Sequence, residues 1–514
     1  MKMPGSRKRV KNIFGWALRI LLIFLMGLVA SVSYPIIDWV KDNFGITIQE
    51  IIYTVATPLK GANTDFLSGA FEIAWKDGMH FLVLFVSGLL LVTALLSKID
   101  ARVNVRLKRQ HSFSMWKIGY LFILLYFGIS CYQAYGYLDE VLMIGDYIKA
   151  RSSRTTVYED YYIYPNDEII IAPKEKKNLI YVYVESMETT YASADEGGMQ
   201  AVNYIPNLTR LAEENVSFSN GERLGGWRVT SGNTWTMGSL FSTTAGIPFS
   251  FPIEGNSMSE RSSFASGVTS LGDVLEQQGY VQEFLCGSDG EFAGRSDYFL
   301  QHGNYKVFDY YTAIEEGYIP EDYWVFWGYE DKLLYQIAKD ELTKLAKSDS
   351  PFNFTMLTVD THHTGGYVCE MCENKYEEPL ANVVTCADSQ VFEFVAWCRE
   401  QDFYDDTVIV ICGDHPRMDT ILVGELKPSE RPVYNVFINS SEEIAEVNMK
   451  NREFTAMDMF PTVLSALGNE IVGDGLGLGT NLFADKQTLA EEMGMKVFEE
   501  ELEKYSVFYV KTFE

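Results

Sequence analysis

Two rhythms of apolar and polar positions divide this chain. In its first part, Ile20 to Ile37, Met79 to Ser97 and Ile118 to Tyr137 are apolar almost without interruption. Each has about the 20 residues that a helix needs to cross a bilayer. The first two are apolar all round, which argues against core helices. Residues 47–56, TIQEIIYTVA, are too short to span and suit an interface. Residues 138–177 turn polar, rich in Tyr and charge, and read as a connector.

From Asn178 short apolar runs alternate with amphipathic ones. NLIYVYVES predicts a strand with Glu185 at its end, and IPNLTRLAEENVSFSN a helix followed by a short strand. SLGDVLEQQGYVQEFLCG predicts a helix, a turn at Gly279 and a strand. PFNFTMLTVDTHH predicts a strand ending at His362 and His363; ADSQVFEFVAWCREQD predicts a helix, and TVIVICGDHP the strand after it. This alternation predicts an α/β domain with a central, largely parallel sheet. The tail from Thr488 has a helical, acidic pattern and predicts one solvated packing helix. The expected layout is a membrane part over 1–140 with about three transmembrane helices, a connector over 141–177, the α/β domain over 178–485 and a tail over 486–514.

Charge sets the orientation. SRKRVK precedes the first apolar stretch and SKIDARVNVRLKRQ lies between the second and third. By the positive-inside rule both are cytoplasmic. Three crossings then place everything after Tyr137 outside a multi-pass cell-membrane protein. The formal net charge of −28 argues against nucleic acid as a partner. Seven Cys are too few for a disulfide scaffold in 514 residues. Cys369 and Cys372 form a CxxC with no second pair at zinc-finger spacing. Outside the cell a disulfide of one of them with Cys386 is the expectation.

Three predicted strands end in metal-capable residues: Glu185, His362 with His363, and Asp414 with His415. Ligands of open α/β sheets bind beyond the carboxyl ends of the strands. Carboxylates and an imidazole suit one Mn²⁺ or Mg²⁺ per site, with Zn²⁺ less suited. TSGNTWTMGSLFSTTAGIPF leads through a glycine-containing loop into a predicted helix from Met237 to Ala245. A Thr near that helix start would meet free backbone N–H groups, which favour a phosphate ester, though Thr is also a common helix cap.

Six strings, NLIYVYVESMETTY, PNLTRLAEENVSFSN, WTMGSLFSTTAGIP, GSDGEFAGRSDYFLQHG, MLTVDTHHTGGYVC and VIVICGDHP, occur in this order. Together they resemble the phosphoglycerol transferases that modify periplasmic glucans and, more distantly, lipoteichoic acid synthases. Both belong to the sulfatase-like branch of the alkaline phosphatase superfamily. The resemblance implies metal ligation by Glu185, Asp414 and His415 with a nucleophilic Thr. It also implies substrate contacts by His362 and Arg295, with His363 beside them. In the family's T-G-W-T pattern the nucleophile precedes the WT pair; here Asn233 stands in that position. Thr234 is therefore the expected nucleophile and metal contact, with Thr236 in reserve. No C/S-x-P-S-R string occurs, which argues against a sulfatase proper.

The implied reaction moves phosphoglycerol from phosphatidylglycerol to a hydroxyl of a glycan or glycolipid acceptor, through a phosphoglyceryl-threonine. His362 would serve as acid or base near neutral pH. A polyglycerophosphate polymerase of the lipoteichoic acid synthase type would use the same donor and site. A non-catalytic membrane-anchored receptor for glycerophosphate or glycan would keep the fold without turnover, and phosphoethanolamine transfer fits the strings less well. Asp458, in REFTAMDMFPTVLSALG, is either near the site or a helix N-terminal carboxylate.

Overall fold

A computed structural model describes residues 115–250, 264–424, 426–441 and 448–513, with scattered helical positions between 21 and 95. These residues fall into two units, one up to Gly145 and the other from Asp146. The apolar stretches Ile20 to Ile37 and Met79 to Ser97 lie largely outside the described residues, and residues 47–56 wholly so. The third lies inside a helix, α1, Met115–Leu142. Among the described residues no helix is long and apolar enough to cross a membrane.

The second unit is built on a six-stranded sheet. Its strands are β1 Asn178–Val184, β2 Val281–Cys286, β3 Lys306–Phe308, β4 Phe352–Leu357, β5 Thr407–Gly413 and β6 Asn435–Ile438. They lie in the order β3-β2-β4-β1-β5-β6, all parallel except the edge pair β5–β6. Helices α2 Pro206–Glu214, α3 Thr236–Ala245, α4 Leu271–Gln277, α5 Arg295–Gln301, α6 Asp331–Leu345, α7 Pro379–Arg399 and α8 Met459–Ala466 surround it.

Why the strand sequences are apolar throughout is visible in β1 and β5. Leu179, Tyr181 and Tyr183 with Val408, Val410 and Cys412 join one core, which also takes in α3 and α8. Ile180, Val182 and Val184 with Ile409 and Ile411 join the other, against α2, α6 and α7. A sheet covered on both faces buries both sets of an alternating strand. Each such side chain contributes about 1.5–3 kcal/mol.

Three sequence expectations are corrected, and the open reading of Asp458 is decided. The strand expected after α2 is only a bridge between Val216 and Phe437. The stretch read as connector packs into the domain: Val157, Tyr158 and Ile170 are core residues, and Ile170–Ile171 pairs with Glu470–Ile471. The tail forms three short helices rather than one, and buries Phe498, Leu502, Tyr509 and Phe513. Asp458 is a cap: its carboxylate accepts from the N–H of Thr455 and of Thr480, both at 2.8 Å.

One buried charge gives a stability test. Glu283 on β2 is covered, with Lys306 Nζ 3.5 Å away, while Glu341 on α6 takes the same ammonium at 2.7 Å. Burial, and then Glu341's charge, push Glu283 from 4.5 up to about 8, although Lys306 opposes them. Below about pH 4.5 folded and unfolded chains both hold this proton. As pH rises towards 8 the unfolded chain sheds it first, so stability falls across that window. Glu283→Gln is expected to match the wild type near pH 4.5 and to exceed it by about 1–2 kcal/mol near pH 8. Urea unfolding at the two pH values checks this; equal stabilities near pH 8 would contradict it.

Candidate active site

β1 and β5 are neighbours, so the residues that follow them emerge side by side. Gly413 closes β5 where a Cβ would fall 1.9 Å from the Met187 carbonyl oxygen, and this close approach brings Asp414 to Glu185. Glu185, Asp414 and His415 are fully buried, with a ligand atom of each within 4.8 Å of the others. His415 Nε2 lies 3.6 Å from Glu185 Oε1 and 3.4 Å from Asp414 Oδ2.

Hydrogen bonds orient each group. Asp414 Oδ1 accepts from the N–H of Ser186 at 2.7 Å and of His415 at 2.9 Å. Its Oδ2 is buried with no hydrogen-bond partner among the described residues. Ser186 Oγ donates to Glu185 Oε1 at 2.6 Å. His415 Nδ1 donates to the Pro416 carbonyl at 2.8 Å, which leaves Nε2 with its lone pair towards the carboxylates. Burial, then Glu185's charge, push the Asp414 carboxyl up to about 7. Two buried carboxylates, an orphaned oxygen and an imidazole Nε2 turned towards them fit a divalent cation.

The hydroxyl facing this trio belongs to Thr236, where Thr234 was expected. Thr236 Oγ1 lies 3.4 Å from Glu185 Oε2 and 3.3 Å from His415 Nε2. Thr234 Oγ1 is buried and has no hydrogen-bond partner among the described residues. Of residues 232–249, Thr236 alone is not buried. The turn before α3 decides this. Gly232 adopts φ +89°, and Asn233 is tied back to Thr230 by its side-chain oxygen at 2.7 Å and its amide nitrogen at 3.0 Å. The Asn that departs from the family pattern is thus a staple. Thr236 is the first residue of α3, whose preceding Trp235 supplies no side-chain cap. The helix's first N–H groups open beside the Thr236 hydroxyl.

His362 lies beyond the end of β4, in the loop that follows it. Its Nδ1 donates to the His363 carbonyl at 2.6 Å, and its ring packs 4.6 Å from Trp327 and 4.3 Å from His363. Burial, aided by the nearby His415 and Arg417, drives the imidazole well below its usual value. The shift favours the neutral ring, whose Nε2 can accept a hydrogen bond or a proton. His363 is shifted the same way, by burial and then by His362. Arg295, at the start of α5, already spends three donors: Nε on the Phe292 carbonyl, and Nη2 on Ser288 Oγ and the Asp289 carbonyl. Its Nη1 is left for a ligand. The rings of Phe292 and Trp327, 5.4 Å apart, link it to His362.

Sequence reasoning missed the supports. Arg417, fully buried, grips Asp419 through Nε at 2.7 Å and Nη2 at 2.6 Å, and donates to the carbonyl of Thr361. Thr361 Oγ1 in turn donates to the Glu185 carbonyl at 2.5 Å. Glu188 takes the Arg431 guanidinium and the Arg417 N–H. This network clamps the His362 loop to the ends of β1 and β5. Its only sequence signal is RMD directly after GDHP.

Residues 177–469, more than half of the chain, match the family described as Sulfatase. Phosphoglycerol transferase I of Xanthomonas campestris pv. campestris (strain B100) is 30% identical over 350 residues, 64% of this chain and 48% of that protein. Phosphoglycerol transferase I of Salmonella choleraesuis (strain SC-B67) is 28% identical over 341 residues, 65% of this chain and 42% of that protein. The chain thus matches less than half the length of these curated relatives. A solved structure, lipoteichoic acid synthase LtaP from Listeria monocytogenes, aligns with a TM-score of 0.46 at 20% identity, covering 60% of this chain and 76% of that one. With its β1 and β5 ends, its Glu–Asp–His trio and its Thr at a helix start all inside the matched segment, the chain belongs to the Sulfatase family.

Proposed function

We propose that this protein is a membrane-anchored, metal-dependent transferase that moves phosphoglycerol from phosphatidylglycerol to a hydroxyl of a cell-envelope glycan. The observation that carries this reading is the half-buried Thr236 hydroxyl, poised at a helix N-terminus against Glu185 and His415. The relatives named phosphoglycerol transferase I supply the head group and the transfer. Exposed apolar residues on α1, among them Leu124, Leu125 and Ile129, support attachment to a bilayer. The basic flanks of the apolar stretches support an extracytoplasmic site.

Glu185, Asp414, His415 and Thr236 would hold the cation, Mn²⁺ or Mg²⁺. When bound, it lowers the hydroxyl's pKa and offsets charge on the phosphoryl oxygens. Thr236 Oγ forms a bond to phosphorus while the bond to the diacylglycerol oxygen breaks, and that oxygen leaves with a proton. An acceptor hydroxyl then attacks the same phosphorus, and Thr236 recovers its proton as the Oγ–P bond breaks. First-turn N–H groups of α3 hold the phosphoryl oxygens. Neutral His362, with Nδ1–H tied to its neighbour's carbonyl, offers Nε2 to a glycerol hydroxyl. Arg295 Nη1 offers a positive charge to the phosphate.

The test is peptide mass spectrometry on the full chain after incubation with phosphatidylglycerol and Mn²⁺. A glycerophosphate adduct on Thr236 with diacylglycerol released is the expected result. An adduct on Thr234 would overturn the assignment of the nucleophile. Neither adduct nor diacylglycerol would sink the transferase reading.

A further inference from the structure

The CxxC that lacked a second pair in the sequence acquires a third ligand in the fold. Cys369 and Cys372 sit in the loop between β4 and α7, the loop that also carries His362; Cys386 lies in the third turn of α7. Cys369 Sγ is 3.6 Å from Cys372 Sγ and 3.7 Å from Cys386 Sγ, and one sulfur of each lies within 4.8 Å of the others. Cys369 and Cys386 are buried, and Cys372 is half-buried.

We propose that Cys369, Cys372 and Cys386 form a second metal site, for a zinc ion, separate from the carboxylate–imidazole site and going beyond the transferase reading. The geometry carries the argument. A tetrahedral ion with Zn–S of about 2.3 Å spaces its sulfurs roughly 3.8 Å apart, close to the separations found here. A disulfide would use two of the three thiols and leave the third stranded.

Two N–H groups face the sulfurs. The Met371 N–H points at the Cys369 sulfur, and Gln390 Nε2 donates to Cys386 Sγ at 3.4 Å. Such N–H donors orient and stabilise thiolate ligands. Zinc's affinity for sulfur, against the oxygen preference of Mn²⁺ and Mg²⁺, keeps the two sites chemically distinct. Half-buried Cys372 marks the solvent side, from which a fourth ligand would reach the ion. The ion would staple the His362 loop to α7.

Elemental analysis of the full-length chain purified from membranes tests this. About one zinc per chain is expected, retained in Glu185→Ala and lost in Cys372→Ser and in Cys386→Ser. Cys372→Ser disturbs the least buried of the three. Should the variants fail to fold, cobalt exchange into the wild type decides, with thiolate-to-cobalt charge-transfer absorption as the expected signature. Three findings would each overturn the site: zinc unchanged in the folded Cys variants, a peptide linking Cys386 to Cys369 or Cys372 with a mass two daltons below the thiol form, or no zinc and no cobalt signature in the wild type.

Discussion

Thr236→Ala is expected to lower phosphoglycerol transfer by roughly 10³-fold or more, whereas Thr234→Val leaves the rate within a few-fold of wild type. The two hydroxyls are separated only by Trp235, yet their surroundings are opposite. Thr236 Oγ1 approaches Glu185 and His415 at 3.4 and 3.3 Å, and its residue is half-buried. Thr234 Oγ1 is enclosed without a partner, so an isosteric valine forfeits no hydrogen bond and can be neutral or stabilising. Thr236→Ser keeps an oxygen at the same place and should retain measurable transfer. Initial rates with labelled phosphatidylglycerol decide the matter. Loss of transfer in Thr234→Val with full activity in Thr236→Ala would reverse the assignment.

Glu185→Gln and Asp414→Asn are expected to remove both transfer, by about 10³-fold or more, and the protein's thermal response to Mn²⁺. In the wild type, a cation present at about 100 times its dissociation constant adds about 2.7 kcal/mol of stability. Each variant should lose that increment and yet remain folded. Asp414 Oδ2 has no hydrogen bond to lose, and the change to Asn removes one of two like charges from a buried site. Thermal unfolding with and without Mn²⁺ separates this from a folding defect. A variant that keeps its Mn²⁺ shift would contradict the ligand assignment, and one that unfolds without Mn²⁺ would contradict the claim that these carboxylates are not needed for folding.

Much of this site was legible before any coordinates. β1 and β5 are apolar throughout because both sheet faces are covered, and such runs must break into polarity where the sheet ends. Glu185, Asp414 and His415 stand at those breaks, and parallel neighbours open on the same side. His362 was legible as a residue beyond β4, but its neutral state was not. That state depends on packing against its sequence neighbour His363 and against Trp327, which a different part of the chain brings to it. The supports Arg417, Asp419, Glu188 and Arg431 were hidden because a buried charge is recognisable only by its partner.

By itself the sequence determined the α/β class, the strands β1, β2, β4 and β5, and the three residues of the proposed cation site. All follow from local periodicity and from chemistry placed at the ends of apolar runs. Tertiary structure alone decided which threonine faces that site, because a glycine at φ +89° and the Asn233 staple set the frame of the turn. It alone turned the expected connector and tail into core, by pairing Ile170–Ile171 with Glu470–Ile471 and burying Phe498 and Phe513. It also gathered Cys386 to the CxxC loop. Each of these outcomes depends on distances between residues remote in sequence or on the hand of a single turn, and neither is written in a pattern of apolar and polar positions.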